Sequence, residues 1–178
     1  MTEITVRRLT EEDWVDYREV RLRALKESPE AFVASVEEEN DFPEERWRDR
    51  MRRSQRLLAQ RDKDAVGVAS IGTEGTAEDS VGELFGLWVH PDQRGTGVAR
   101  RLLEAAARTA REDDLHHLVY WVGTDNGRAV AFASSFGFRP TDNRRPMRLR
   151  GVEEDEDATE MAMVLPVGSS SGDIPTSL

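Results

Sequence analysis

The sequence predicts an α/β fold built on one mixed sheet, and three observations carry that reading. Strand-like and helix-like stretches follow the order β-α-α-β-β-β-α-β-α-β-β. Three strands in a row must meander antiparallel before any helix can carry the chain across to a parallel neighbour. The length of 178 residues suits one domain, and at that size folding buries roughly 70% of the chain's surface without cross-links.

Each element has its own signal. Ile4–Leu9 alternates loosely as a first strand, and Thr10-Glu11-Glu12-Asp13 is a capping-box-like start for a helix carrying Trp14, Tyr17, Leu22 and Leu25. Ser28-Pro29 ends that helix, because the residue before proline is pushed out of the helical region. A second helix is predicted to open at Pro43 and to hold Trp47 and Met51 one turn apart. Leu57–Gln60 and Ala65–Ile71 then flank Asp62-Lys63-Asp64, a hairpin turn by composition. After a polar loop over Gly72–Ser80 comes a long strand, Val81–Val89, and a turn-forming segment, His90–Thr96.

Val98–Arg111 is the clearest helix, with Val98, Leu102, Leu103, Ala106 and Ala110 on one side and charged residues on the other. Leu118–Val122 reads as a buried strand, Asn126–Phe136 as a short helix, Phe138–Arg139 as the start of another strand, and Glu160–Leu165 as the last. Arg144–Arg150 with four arginines and the acidic run Glu153–Asp157 read as a solvated loop. Residues 1–166 are expected to form the domain, and residues 167–178 a flexible Ser/Gly-rich tail.

Composition removes several classes of function. With no cysteine, disulfides, thiolate metal sites and a cysteine acyl-enzyme are excluded, and a reducing cytoplasm is the expected setting. No apolar run reaches the roughly 20 residues of a membrane span. A net charge of −10 argues against nucleic acid as a partner and inclines the chain towards a cationic substrate. His90, His116 and His117 offer no ligand set at metal spacing, so no metal is expected.

The segment Val89-His90-Pro91-Asp92-Gln93-Arg94-Gly95-Thr96-Gly97-Val98-Ala99 carries the chemistry. Glycines 95 and 97 permit backbone conformations that aim successive N–H groups at one point. The helix start adds unpaired donors and the positive end of its dipole, and Arg94 adds a charge. The result is an anion site suited to a phosphate or pyrophosphate. A nucleotide P-loop would need Gly-Lys-Ser/Thr where this chain has Gly97-Val98-Ala99. A dinucleotide fingerprint would need a third glycine where Arg100 stands.

Arg94-Gly95-Thr96-Gly97-Val98-Ala99 matches the Arg/Gln-x-x-Gly-x-Gly/Ala signature of acyl-CoA pyrophosphate loops. Leu87-Trp88-Val89-His90-Pro91 precedes it, and Asn126-Gly127-Arg128-Ala129 with Phe136-Gly137-Phe138 follows. On these segments the chain, from Ile4 to about Leu165, resembles the GNAT family of N-acetyltransferases. The resemblance implies a single-domain acyl-CoA N-acyltransferase fold, a mostly antiparallel sheet with splayed central strands, here Val81–Val89 and Leu118–Val122. It implies that Leu87, Trp88 and Val89 offer backbone groups to the pantetheine arm of acetyl-CoA. Arg94, Gly95, Thr96, Gly97, Val98 and Ala99 would hold the pyrophosphate, and Asn126 would touch the cofactor from the other side. Gly86 inside its strand independently suggests a bulge or a close backbone approach.

By the same resemblance, an amine attacks the thioester directly in a ternary complex, with a backbone N–H near Val89 facing the oxyanion. Glu83 is the candidate base; its alternative reading is an exposed strand-end carboxylate. Glu83 shares side-chain parity with Phe85 and Leu87 unless a bulge at Gly86 breaks it. Many members carry a tyrosine general acid where this chain has Ala133, which leaves Ser134, water or an unassisted thiolate. Phe32, Phe42 and Trp47 are candidates to line the acceptor pocket. The expected acceptor is a primary amine of a small molecule or peptide, with a homodimer left open. The alternatives are a non-catalytic acyl-CoA sensor and a protein N-terminal or lysine acetyltransferase.

Overall fold

A computed structural model describes residues 3–73, 80–147 and 158–168. Strand β1 (Ile4–Arg8) leads through a short 3-10 turn, Glu11–Asp13, into helix α1 (Trp14–Glu27). Asp13 stabilises that start by accepting from the Thr10 N–H at 2.8 Å and the Thr10 hydroxyl at 3.1 Å. Helix α2 (Val36–Asn40) has no counterpart in the sequence reading; Ser35 caps it, its hydroxyl accepting from the Glu38 N–H at 3.1 Å. Helix α3 (Glu44–Arg53) follows Pro43, as predicted.

Strands β2 (Ser54–Arg61) and β3 (Asp64–Gly72) form a hairpin that closes with Arg61 opposite Asp64. Asp62 takes φ 57°, a left-handed conformation that aspartate tolerates better than most side chains. Then come β4 (Val81–Val89), α4 (Val98–Glu112), β5 (His117–Gly123), α5 (Gly127–Phe136), β6 (Arg139–Pro146) and β7 (Thr159–Pro166). The sheet has seven strands in the order β1-β2-β3-β4-β5-β7-β6, and β4–β5 is its one parallel pair.

Two layers cover it. On one face α4 buries Val98, Leu102, Leu103, Ala106 and Ala110 against Leu57, Ala69, Leu84 and Leu118. Gly67 lets that helix lie close: a Cβ there would stand 3.0 Å from the Trp88 carbonyl and 3.0 Å from Val98 Cγ1. On the other face α1 and α3 bury Tyr17, Val20, Ala24, Trp47 and Met51 against Leu58, Val68 and Trp88.

The arginine-rich segment differs from the expected solvated loop. Arg144 and Arg145 belong to β6, paired with Met161 and Glu160 of β7. β6 lies at the sheet edge, where Pro140 and Pro146 cost no ladder partner on the open side. Arg148, Arg150 and the acidic run Glu153–Asp157 lie outside the described residues. Val167, assigned by sequence to the tail, is buried and donates its N–H to the His116 carbonyl at 2.8 Å. No helix among the described residues is long and apolar enough to cross a membrane.

Candidate active site

Strand β4 controls the site. It pairs with β5 only from Val81↔His117 to Leu84↔Tyr120, although β4 runs on to Val89 and β5 to Gly123. Beyond Leu84 the two strands part, and a cleft opens between their ends. Gly86 sits at the parting with φ +61°, a conformation that strains any residue with a Cβ. The β3 register passes from Ser70↔Phe85 to Val68↔Trp88, so Gly86 and Leu87 stand opposite the single residue Ala69. This is the bulge the glycine suggested, and it inverts side-chain parity. Leu84 before it and Leu87 and Val89 after it pack on the α4 face, whereas Trp88 packs with α1 and α3.

The loop after β4 turns once through Pro91–Gln93 and reaches α4 through Gly95 (φ +79°) and Gly97 (φ +94°). A Cβ on either glycine would meet nothing within 4 Å, so backbone conformation, and not crowding, calls for glycine here. The space over them is open. The first-turn N–H groups of Val98, Ala99 and Arg100 have no carbonyl one turn back to bond. From β2, Arg61 braces the loop, donating to Gln93 Oε1 at 2.9 Å and Thr96 Oγ1 at 3.2 Å. Thr96 Oγ1 donates in turn to the Gln93 carbonyl at 2.6 Å. Arg94 is more engaged than the sequence suggested: it donates to the Val89 carbonyl at 3.1 Å and to Ser28 Oγ at 3.2 Å. Trp88 Nε1 reaches the same Ser28 oxygen at 3.0 Å.

On β5's side of the cleft, Asn126 caps α5, its side-chain oxygen accepting from the Ala129 N–H at 3.1 Å. Its carbonyl is thereby committed, and its amide donors remain for a ligand. Ala133 is 0% exposed, packed into the core beneath α5. Ser134 is exposed. Tyr120, at the last paired position before the parting, stands with Phe138 edge to face at 6.0 Å. Burial pushes its hydroxyl up from the ordinary value, so it stays protonated. Glu83 lies on the β4 face that also carries Phe85, by strand alternation. Its carboxylate is 3.5 Å from Arg145 Nη2, and Arg145 also pairs with Glu160 and lies 4.2 Å over the Trp121 ring. Among the described residues no group of three His, Cys, Asp or Glu is placed to hold a metal ion.

Comparison with known proteins bears directly on this arrangement. The profile of the acetyltransferase (GNAT) family matches residues 7–138. The chain belongs to the GNAT acetyltransferase family. An uncharacterized N-acetyltransferase of Archaeoglobus fulgidus is 33% identical over 128 residues, 65% of this chain and 83% of that protein. A mycothiol acetyltransferase of Acidothermus cellulolyticus is 30% identical over 129 residues, and the match spans 66% of this chain but only 38% of that longer protein. Two solved structures share the fold. YncA of Salmonella typhimurium, solved with its cofactor acetyl-CoA, superposes with a TM-score of 0.69 at 20% identity, covering 95% of this chain and 96% of that one. A ribosomal-protein-alanine N-acetyltransferase from Brucella melitensis gives 0.67 at 24% identity, covering 91% and 99%.

Across β4 from the cleft, this GNAT chain has a cavity of about 240 Å³ between α1, α3 and the sheet. Tyr17, Phe32, Ser70, Phe85 and Gly86 are among its walls. Of the three aromatics considered from sequence, Phe32 lines it. Phe42 and Trp47 do not: Trp47 is 0% exposed in the core, with Phe42 5.9 Å away. What sequence did not single out is the charge. Arg21, Arg50 and Arg56 also line the cavity. Behind them Glu39, 1% exposed, accepts from Arg21 at 3.0 and 3.2 Å and from Arg50 at 2.8 Å.

Burial pushes the Glu39 carboxyl up, but the hydrogen bonds from Arg21 and Arg50 outweigh it and hold it below its ordinary value of 4.5. A carboxylate with a depressed folded-state pKa stabilises the fold above its unfolded pKa, and the contribution is lost as pH falls through the folded value. Glu39→Gln is therefore expected to cost about 3–5 kcal/mol at pH 7, because two guanidiniums lose their anion. Urea unfolding should show the gap between wild type and variant narrowing as pH falls below about 4.5. A gap that stays constant with pH would mean that Glu39 acts by shape alone.

Proposed function

We propose that this protein is an acetyl-CoA-dependent N-acetyltransferase acting on a primary amine by direct attack in a ternary complex. One observation carries the reading: Gly86, which lines the cavity between α1, α3 and the sheet, stands just past the point where β4 leaves β5.

The residues fit the cosubstrate. The open, positive-φ glycine pair and the helix start offer backbone donors to a pyrophosphate over Arg94–Ala99. The freed edge of Leu87, Trp88 and Val89 suits an extended pantetheine arm, and the Asn126 amide donors face the cleft from the α5 end. Acetyl-CoA, when bound, supplies the acyl thioester. Glu83, on the acceptor face of β4, takes the proton from the amine directly or through a water once it lets go of Arg145. A backbone N–H at the Val89 end stabilises the oxyanion. Tyr120 is the phenol on the face that carries Ala133, since the chain's other tyrosine, Tyr17, lies on the acceptor side. A CoA-binding sensor without turnover is the reading that Ala133 favours, and thiol release with any amine excludes it.

Three measurements test the proposal. Gly97→Glu places a side chain and a negative charge over the anion site, so calorimetry should show CoA binding lost while circular dichroism shows a folded chain. Undiminished binding would put the cofactor elsewhere. Glu83→Gln should lower turnover roughly 10²–10⁴-fold with cofactor affinity nearly unchanged. Turnover at the wild-type level across the pH range would remove Glu83 as the base. For the thiolate, Tyr120→Phe should cost less than the roughly 10²-fold lower end for a proton donor, and Ser134→Ala nothing. A large loss in Ser134→Ala would show that the acid had moved one residue along α5.

A further inference from the structure

The acceptor cavity has the opposite charge to the chain as a whole. The protein carries −10 overall, yet the charged walls of this cavity are three arginines, and among the described residues no carboxylate lines it. Glu39, set behind the walls, is the one acid paired with Arg21 or Arg50 among the described residues. Three guanidiniums therefore stand against one carboxylate.

Arg56 is the decisive member. It is 6% exposed, and its polar partners are neutral: Ser70 Oγ at 2.7 Å and the Arg50 carbonyl at 3.1 Å. Its Nε is buried with no hydrogen-bond partner among the described residues. The Tyr17 and Phe85 rings lie 4.7 and 5.3 Å from it, which holds the guanidinium against the cavity wall. An arginine stays charged in a protein, and a charge taken out of water without a counter-ion is a standing cost to the fold. Burial pushes the group down from its ordinary value; Arg50 and Arg21 push the same way, and Tyr17 and Glu39 oppose them without reversing the shift. A fold keeps such a group where an anion comes to it. Gly86, just past the last β4–β5 pair, lines the same cavity.

We propose that the acceptor is a small amine that also carries an oxyanion, a carboxylate or a phosphate. The oxyanion rests on Arg56 with Arg21 and Arg50 around it, and the amine points to Gly86. The amine half of this inference rests on the acetyltransfer reading; the anion seat does not. In the reaction the amine nitrogen bonds to the acetyl carbonyl carbon and the carbon–sulfur bond breaks. The ammonium loses two protons, one to Glu83 before the attack and one from the tetrahedral intermediate, and the departing thiolate takes up the second. The volume of about 240 Å³ lies below the roughly 300–1,000 Å³ of drug-sized pockets, which keeps the acceptor small.

The test is a matched panel with acetyl-CoA, reading thiol release: β-alanine against β-alaninamide, phosphoethanolamine against ethanolamine, and putrescine as the cationic member. The anionic member of at least one pair should lead its match by roughly tenfold or more in kcat/KM, carried by KM, the scale of a charged hydrogen bond. Which pair shows it tells carboxylate from phosphate. Arg56→Gln should erase that preference, and Arg56→Lys should keep part of it. A second arm needs neither variant nor cofactor: β-alanine or phosphoethanolamine alone should raise the melting temperature of the wild type, and their matches should not. If that shift appears but no amine releases thiol, the anion seat stands and the acetyltransfer reading falls. If β-alaninamide, ethanolamine and putrescine outrun the anionic members, or if no anion shifts the melt, the inference is wrong.

Discussion

The bulge at Gly86 is the constraint on which the rest of the site depends. A regular β4 would keep one parity from Val81 to Val89, sending Leu87 and Val89 to the α1/α3 face and Trp88 into α4. The two-for-one register at Ala69 prevents that. Before the bulge, Leu84 feeds the core under α4; after it, Leu87 and Val89 do so while Trp88 crosses to meet Ser28. The same backbone turn carries β4 away from β5, since their ladder stops at Leu84 and Tyr120. Glu83 and Phe85 keep the earlier parity and so face the cavity side. One positive-φ residue thus sorts the strand into a half that faces the cavity and a half that has left β5.

Electrostatics is organised at two scales that oppose each other. The exterior is acidic, which favours solubility and draws cations from a distance. The cavity between α1, α3 and the sheet is cationic, and its excess charge is kept in place by Glu39, whose two arginines would otherwise repel each other and Arg56. The long-range field and the local one act on different events, encounter and seating, and the seating contacts set specificity.

Most of the scaffold was legible because periodicity and turn chemistry agreed with each other. Val81–Val89 and the helix from Val98 were placed almost to the residue, and the glycine inside β4 announced its bulge. Helix α2 was missed because five residues are too few to show a period. β6 was read as strand only at its start, Phe138–Arg139, and its arginine-rich end as loop, because an edge strand, exposed and rich in proline and arginine, buries nothing that alternation would reveal. The arginine cavity was invisible for a different reason. Arg21, Arg50 and Arg56 come from α1, α3 and β2, and each alone looks like one more charge on a solvated face. Net charge even pointed the other way. Only the packing of two helices on the sheet brings them to one volume.

An alanine at position 133 makes physical sense within this packing. A protonated amine has no lone pair and an ordinary pKa near 10.4, so attack at neutral pH needs a base. A thiol is acidic near 8.5, so the thiolate is a tolerable leaving group without a donor beside it. On the proposed mechanism the chemistry therefore weighs on the base far more than on any acid. At 133 an alanine lets α5 sit down on the core with Phe136 and Phe138, and it is 0% exposed there. Tyr120, held at the last rung of the β4–β5 ladder, is the phenol on that face, and the chemistry does not depend on its proton.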